Sequence, residues 1–528
     1  MSGSIRGSLT RTPAAGPPPE SIRAGVAVVP PVVAQRALVL AGLAAFAVLT
    51  AVLWRFTVDD AYTTLRYARH LAQGLGLTFN RTGPRAEGCT SVAWAVVLAL
   101  PDALGLDALA WAKALGVACT LATAAVAFSW ARAAAAADGG ARWAGPAAAT
   151  ALLALPATAV HAVSGMETAL GTLLLTLLLA LAAHAVHRGS AHAVRALPVL
   201  ATALALTRPE GLIAGAIVLA TVAWLRPGER HAQLRRALLF FVLPLAAYEV
   251  ARTSWYGVPL PLPFYVKLAR PGLLPGAPVV GAWLADHAWR LGPLVLVALA
   301  RPPRPLVPAL AVALTWAAFF LLPQHLMGYQ HRYLAPLDPA LAVVAGVGLD
   351  RVVRRGEARA WPRAILAWGA PALVALVAAG ELSDARVDVP ERLEYASGMA
   401  AAHVPLGYAL AALSPAGTLV LSDCGAVPYL CDWTTRDLVG LNDARIALTR
   451  RRDPAELLAN APDVVVLVSR RPGRFEPWDW NAYEAPILDA ALQRGYARVA
   501  LRRFGPDYWL WILARPGTRI GAALAAWR

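Results

Sequence analysis

Apolar runs of about 20 residues, each long enough to cross a bilayer as a helix, recur through the first 380 positions of this chain. Charged residues make up only 15% of the sequence, against about 25% in a soluble domain. The expected fold class is therefore a polytopic α-helical membrane protein. Spans are expected near 37–56, 91–104, 109–131, 143–161, 166–187, 194–207, 211–225, 237–254, 279–299, 306–322, 333–350 and 363–380. The short, Pro-terminated segment 91–104 leaves the parity unsettled, so about 11–13 transmembrane helices are expected.

Orientation follows from the arginines. They cluster in HRGSAHAVR (187–195), RPGERHAQLRR (226–236), RPPRP (301–305) and RVVRRGEARAWPR (351–363), which the positive-inside rule assigns to the cytoplasm. The loops around residues 59, 167, 210, 260 and 330 then share the opposite side. The net charge of +16 is accounted for by these connectors, and no RNA-binding motif is visible, so nucleic acid is not expected as a partner. Lys113 and Lys267 are the only lysines among 48 basic residues, a bias typical of GC-rich bacterial genomes.

The N-terminal segment 1–36 is Pro/Gly/Ser-rich and basic, and is expected to be disordered and cytoplasmic. The transmembrane domain is expected over 37–384, with a first outer loop at 57–90. After residue 385 the texture changes. GTLVLSD, PDVVVLVS, ARVALRRF and YWLWILAR read as strands, so 385–528 is expected to be an extracytoplasmic α/β domain. Cys424 and Cys431 lie in it, where a disulfide persists if one forms; the other reading is two unpaired small residues.

The densest polar cluster in the membrane half is VDDAYTTLRYARHLAQG. Asp is a favourable helix N-cap, and Gly74 would end the helix. Ala61, Leu65, Ala68 and Ala72 form a stripe at helical spacing, which predicts an amphipathic helix lying at the interface with its basic residues toward lipid headgroups. One carboxylate suffices as a cap. A second beside it, partly buried, raises the pKa of at least one of them, which suits a general base.

The segment DDAYTTLRYARHLAQGLGLTFNRTGPRAEGCTSVAW resembles the first outer loop of GT-C-type membrane glycosyltransferases, closest to the branch containing terminal arabinofuranosyltransferases. The likeness continues in order through SGMETAL (164–170), TRPEG (207–211), WYG and LPFYVKL (255–268), HRYLAP (331–336), and DCGAVPYL with GLND (423–443). It implies an inverting enzyme of the bacterial inner membrane. The donor would be a polyprenyl-phosphate sugar, with arabinofuranose as one candidate. The acceptor would be a cell-envelope glycan, lipid or protein.

The resemblance carries the acid pair onto Asp59 and Asp60, one as base and the other orienting the acceptor or a cation. Lys267 and Arg332, with His331 and Tyr333, are the expected donor-phosphate ligands. Glu87, Glu167, Glu210, Tyr62 and Tyr265 are candidates for sugar or acceptor contacts. Asp59, Asp60 and Glu167 are the carboxylates available to a divalent cation, should one be needed. Trp478, Trp480 and Trp509 are further stacking candidates, with core packing as the alternative. Glu210 has an adjacent partner in Arg208, whereas Glu167 has none nearby in sequence. A lipid or solute transporter and a non-catalytic scaffold are the competing functions. Repeats typical of transporters are not seen in the sequence, and the polar clusters gather on one side of the membrane.

Overall fold

A computed structural model describes residues 31–268, 274–324 and 328–527. Most of the N-terminal segment expected to be disordered lies outside the described residues, while residues 31–36 open the first helix, Pro31–Leu53.

Four stretches are long and apolar enough to cross a membrane: Pro31–Leu53, Ala108–Ala137, Thr168–Arg188 and Arg363–Leu413. Two bent pairs add to them, Ala144–Ala154 with Pro156–Val163 (62°) and Gly211–Leu225 with Pro227–Tyr256 (109°), giving up to six spans by length and composition. The expected spans coincide with helices, but several are short. Val92–Ala103 has 12 residues, an axial length of about 18 Å, well under the ~30 Å hydrocarbon core. That shortness is the source of the parity conflict. The chain is a multi-pass membrane protein.

Small residues let these helices approach closely, as bilayer packing favours. A Cβ at Gly116 would stand 2.1 Å from the Ala162 carbonyl oxygen, so only glycine fits there. The helix Arg363–Ala401 runs 39 residues, about 58 Å. It crosses the expected boundary at residue 385 without a break and carries the chain out to the C-terminal domain.

That domain contains a five-stranded sheet: β1 (Thr418–Leu421), β2 (Thr434–Asp437), β3 (Val464–Ser469), β4 (Ala497–Gly505) and β5 (Tyr508–Ala514), in the order β2-β1-β3-β5-β4. β1 pairs in parallel with β2 and β3, whereas β5 pairs antiparallel with β3 and β4. Four of these strands were legible as apolar runs. β2, of sequence TTRD, has neither length nor an apolar run to signal it.

The sheet is apolar on both faces. Val420, Val465, Leu467 and Leu513 pack with Leu457, Ile487 and Ala491. Leu419, Leu421, Val466 and Ile512 face the other way, onto Tyr67 and Phe79 of the first outer loop. The domain is therefore docked on the acidic loop rather than tethered beside it.

This docking overturns the expected headgroup-facing helix. Asp59–Ala72 is helical and Gly74 follows it at φ +79°, as anticipated. Its basic side chains, however, turn into protein. Arg66 is 1% exposed and donates to the carbonyls of Phe79, Pro428 and Trp433. Arg69 donates to Tyr429 O, and buried His70 bonds Asp432. Helical periodicity located the polar face correctly, but the partner is the C-terminal domain, not lipid.

Candidate active site

The start of helix Asp59–Ala72, several interhelical loops and the C-terminal domain close around a chamber of about 390 Å³. Asp59 and Asp60 stand on its wall with Glu167, Lys267 and Arg332, residues from four separate segments. His403, Asp423, Trp480 and Tyr508 complete the wall on the domain side.

Asp59 does not cap its own helix, whose N-cap is Val58. Its two oxygens instead accept from the backbone N–H groups of Gly425 (2.9 Å) and Ala426 (2.8 Å). Only glycine fits at 425, where a Cβ would lie 2.0 Å from the Asp59 carbonyl oxygen. Burial pushes the Asp59 pKa up to about 6, with His403 pulling it down and Asp423 and Asp60 adding to the rise. A carboxylate carries about four lone-pair sites, so two amide contacts leave room to accept a substrate proton.

Asp60 is engaged differently: its Oδ2 lies 3.2 Å from Arg332 Nη1. The Nε of Arg332 is buried with no acceptor among the described residues. Lys267 Nζ donates to the Tyr333 hydroxyl at 3.0 Å. Three cations surround that phenol: Arg332, Lys267 and Arg208 lie 5.0, 5.2 and 5.8 Å from the ring centroid. A smaller recess of about 80 Å³ opens at this end, lined by Phe264, Leu268, Phe319 and Phe320. It shares Thr90, Glu167, Pro263, Lys267 and Arg332 with the main chamber.

Other expected residues are used structurally. Glu167 finds its partner 41 positions away, in Arg208 (3.2 Å), which also holds Glu210 (2.5 Å). Glu87 is paired with buried Arg252 at 2.5 Å and is not on the chamber wall; burial raises its pKa to about 7 against the pull of Arg252. Tyr62 is packed with Leu65, Trp94 and Tyr429. Tyr265 packs on Ala86 and Ala447. His331 turns to Asp286, 2.8 Å away, and lines neither cavity, whereas Arg332 lines both. Of the three tryptophans, Trp480 reaches the wall.

No cluster of three or more His, Cys, Asp or Glu that could hold a metal ion occurs among the described residues; Asp59, Asp60 and Glu167 are each engaged by a different partner. Nor is there a disulfide: Cys424 and Cys431 are both free and buried.

Arg208 and His403 are contributors that sequence reasoning did not assign to the site. Arg208 was read only as the neighbour of Glu210, and His403 sits in an apolar helix without a motif. Asp423 was visible as a loop acid after β1.

The architecture matches solved structures over nearly its whole length. ArnT from Cupriavidus metallidurans in the apo state superposes with a TM-score of 0.60 at 16% identity, covering 91% of this chain and 98% of that one. The fold is of the GT-C type. ArnT from the same organism bound to undecaprenyl phosphate gives a TM-score of 0.58 at 17% identity, covering 92% and 98%. Within the C-terminal domain, residues 394–513 match a family model described as a domain of unknown function (DUF8728). No match occurs among the curated proteins.

Proposed function

We propose that the chain is an inverting glycosyltransferase that moves a sugar from a polyprenyl-phosphate donor to a cell-envelope acceptor. It works in the bacterial inner membrane, with its C-terminal domain on the extracytoplasmic side. One observation carries the reading. A half-buried acid with an upward-tuned pKa shares a chamber with Lys267 and Arg332, and that cationic end opens into an aromatic and aliphatic recess. A phosphate joined to an isoprenoid needs that combination: compact and forked cations for the charge, and apolar walls for the chain. The fold likeness to a protein solved with undecaprenyl phosphate bound supports the same donor class. Among sugars, the sequence resemblance favours an arabinofuranosyl unit.

In the reaction, Asp59 takes the proton of the acceptor hydroxyl. The acceptor oxygen attacks the anomeric carbon as the bond to the phosphate oxygen breaks, inverting the centre and leaving polyprenyl phosphate. Arg332 and Lys267 stabilise the charge that develops on the departing phosphate. Asp60 holds Arg332 in place from the other side.

The test is transfer of radiolabelled sugar from polyprenyl phosphate by the full chain in nanodiscs. Asp59→Asn lowers turnover by about 10²–10⁴ while retaining binding of undecaprenyl phosphate. Lys267→Ala and Arg332→Ala each weaken that binding by about tenfold or more. If the Asn variant kept wild-type turnover, Asp59 would not be the base.

A further inference from the structure

Resting on that donor reading, we infer a second subsite in the same chamber. The carboxyl end of β1 and the turn after β3 form the seat of a neutral, hydroxyl-bearing sugar, the terminal ring of a glycan acceptor.

The sheet topology points to this place. β1 lies between β2 and β3, all three parallel. The chain leaves β1 toward one side and returns on the other. In open parallel sheets, ligands bind outside the carboxyl ends of the strands at such a switch point. The residues that immediately follow β1, Ser422 to Gly425, all line the chamber. So does Trp480, on the turn Asp479–Asn481 that follows β3.

The chemistry at this end differs from that at the cationic end. The Asp423 carboxylate accepts from the Tyr508 hydroxyl (2.8 Å) and bonds His403 Nε2 (2.8 Å). A carboxylate held there repels an anion but accepts hydroxyl donors. Trp480 is 40% exposed and stacks on Trp478 at 6.0 Å and 22°, a broad aromatic surface with a steady support behind it. Carboxylate, phenol, imidazole and an open indole together suit a sugar ring, apolar on one face and hydroxylated at its edge.

The placement also meets the stereochemical demand. In an in-line displacement the attacking oxygen enters opposite the leaving phosphate. Among the described residues, none of the C-terminal domain lines the recess that opens at the cationic end, so the β1 end lies away from it. Asp60 pairs with Arg332 at the cationic end, and its neighbour Asp59 is tied to the β1 end. Its oxygens hold the amides of Gly425 and Ala426, two and three residues beyond Asp423. A hydroxyl resting on Asp423 is thereby presented to the base.

The full chain in nanodiscs tests this with soluble mannotetraose, linear arabinotetraose and maltotetraose, followed by saturation-transfer NMR. Wild type binds at least one of them, and Trp480→Ala weakens that binding by about tenfold. Asp423→Asn weakens it comparably, and the exposed position of Trp480 keeps the test independent of any folding defect in the Asn variant. Binding by none of the three glycans, or binding indifferent to both substitutions, overturns the subsite. Undecaprenyl phosphate affinity is measured in the same samples. Its loss in Lys267→Ala alongside glycan binding indifferent to Trp480→Ala refutes the acceptor seat and leaves the donor reading standing. A wild type that binds the glycan through Trp480 but no lipid phosphate refutes the donor reading instead.

Discussion

As the proposed base, Asp59 accepts a proton only when ionised, and a pKa raised to about 6 puts that requirement inside an accessible pH range. With that value, about 91% of the enzyme carries an ionised Asp59 at pH 7 and about 9% at pH 5. An aspartate left at 3.8 would still be about 94% ionised at pH 5. The ratio kcat/KM follows the free enzyme, so it falls about tenfold between pH 7 and pH 5 where an unperturbed acid would leave it almost flat. The proposed donor, a phosphodiester, stays anionic throughout. The limb can be moved by mutation. His403 lowers the Asp59 pKa, so His403→Gln moves the acid limb to higher pH. Initial rates at limiting donor in nanodiscs from pH 4.5 to 8 read the limb, with thermal melting at each pH to confirm that the enzyme stays folded. A profile flat to pH 5, or a limb moved to lower pH in His403→Gln, refutes the assignment of Asp59 as a burial-tuned base.

Lys267→Ala weakens undecaprenyl phosphate binding by about tenfold or more, the worth of one charged hydrogen bond; isothermal titration in nanodiscs checks it. Arg66→Met removes three bonds to buried carbonyls and lowers stability by about 3 kcal/mol, read as a drop in Tm; an unchanged Tm would mean that the C-terminal domain is not held through this side chain. Glu87→Gln weakens the pair with Arg252, lowering stability by about 1–3 kcal/mol, with kcat per folded molecule unchanged. Denaturing alkylation without reductant labels both Cys424 and Cys431, and mass spectrometry finding them linked would contradict two free thiols.

The membrane half was legible because its signal is one-dimensional. An apolar run declares a helix whatever it packs against, and nearly every expected span coincides with one. The sequence also marked Lys267 and Arg332, through scarcity and loop position, and both reach the chamber. Failures came where a residue's meaning depends on a distant partner. Glu87 and Arg252 are 165 positions apart; seen alone, Glu87 looks like a free acid beside a membrane, and in the fold it is half of an ion pair. Arg66 and Arg69 read as headgroup ligands because nothing local shows that residues 428–433 cover them. Polar, four-residue β2 is specified by its neighbour β1 rather than by its own pattern.

The same dependence explains why two acids stand together at the start of the first outer loop. A carboxylate pair at that position is costly unless each member has its own counter-group. Asp59 has amides 366 and 367 residues away, and Asp60 has a guanidinium 272 residues away. One acid thus ties the loop to the C-terminal domain and the other to the cationic outer loop before residue 338. Because they are adjacent on one helix end, docking the domain and seating Arg332 fix the same few atoms of backbone. A site built this way is complete only when both distant segments have packed, so preorganisation of the base and of the phosphate cations is one event. Disturbing either partner should loosen both ends of the chamber together, whereas Asp59 and Asp60 on separate elements would allow each end to fail alone.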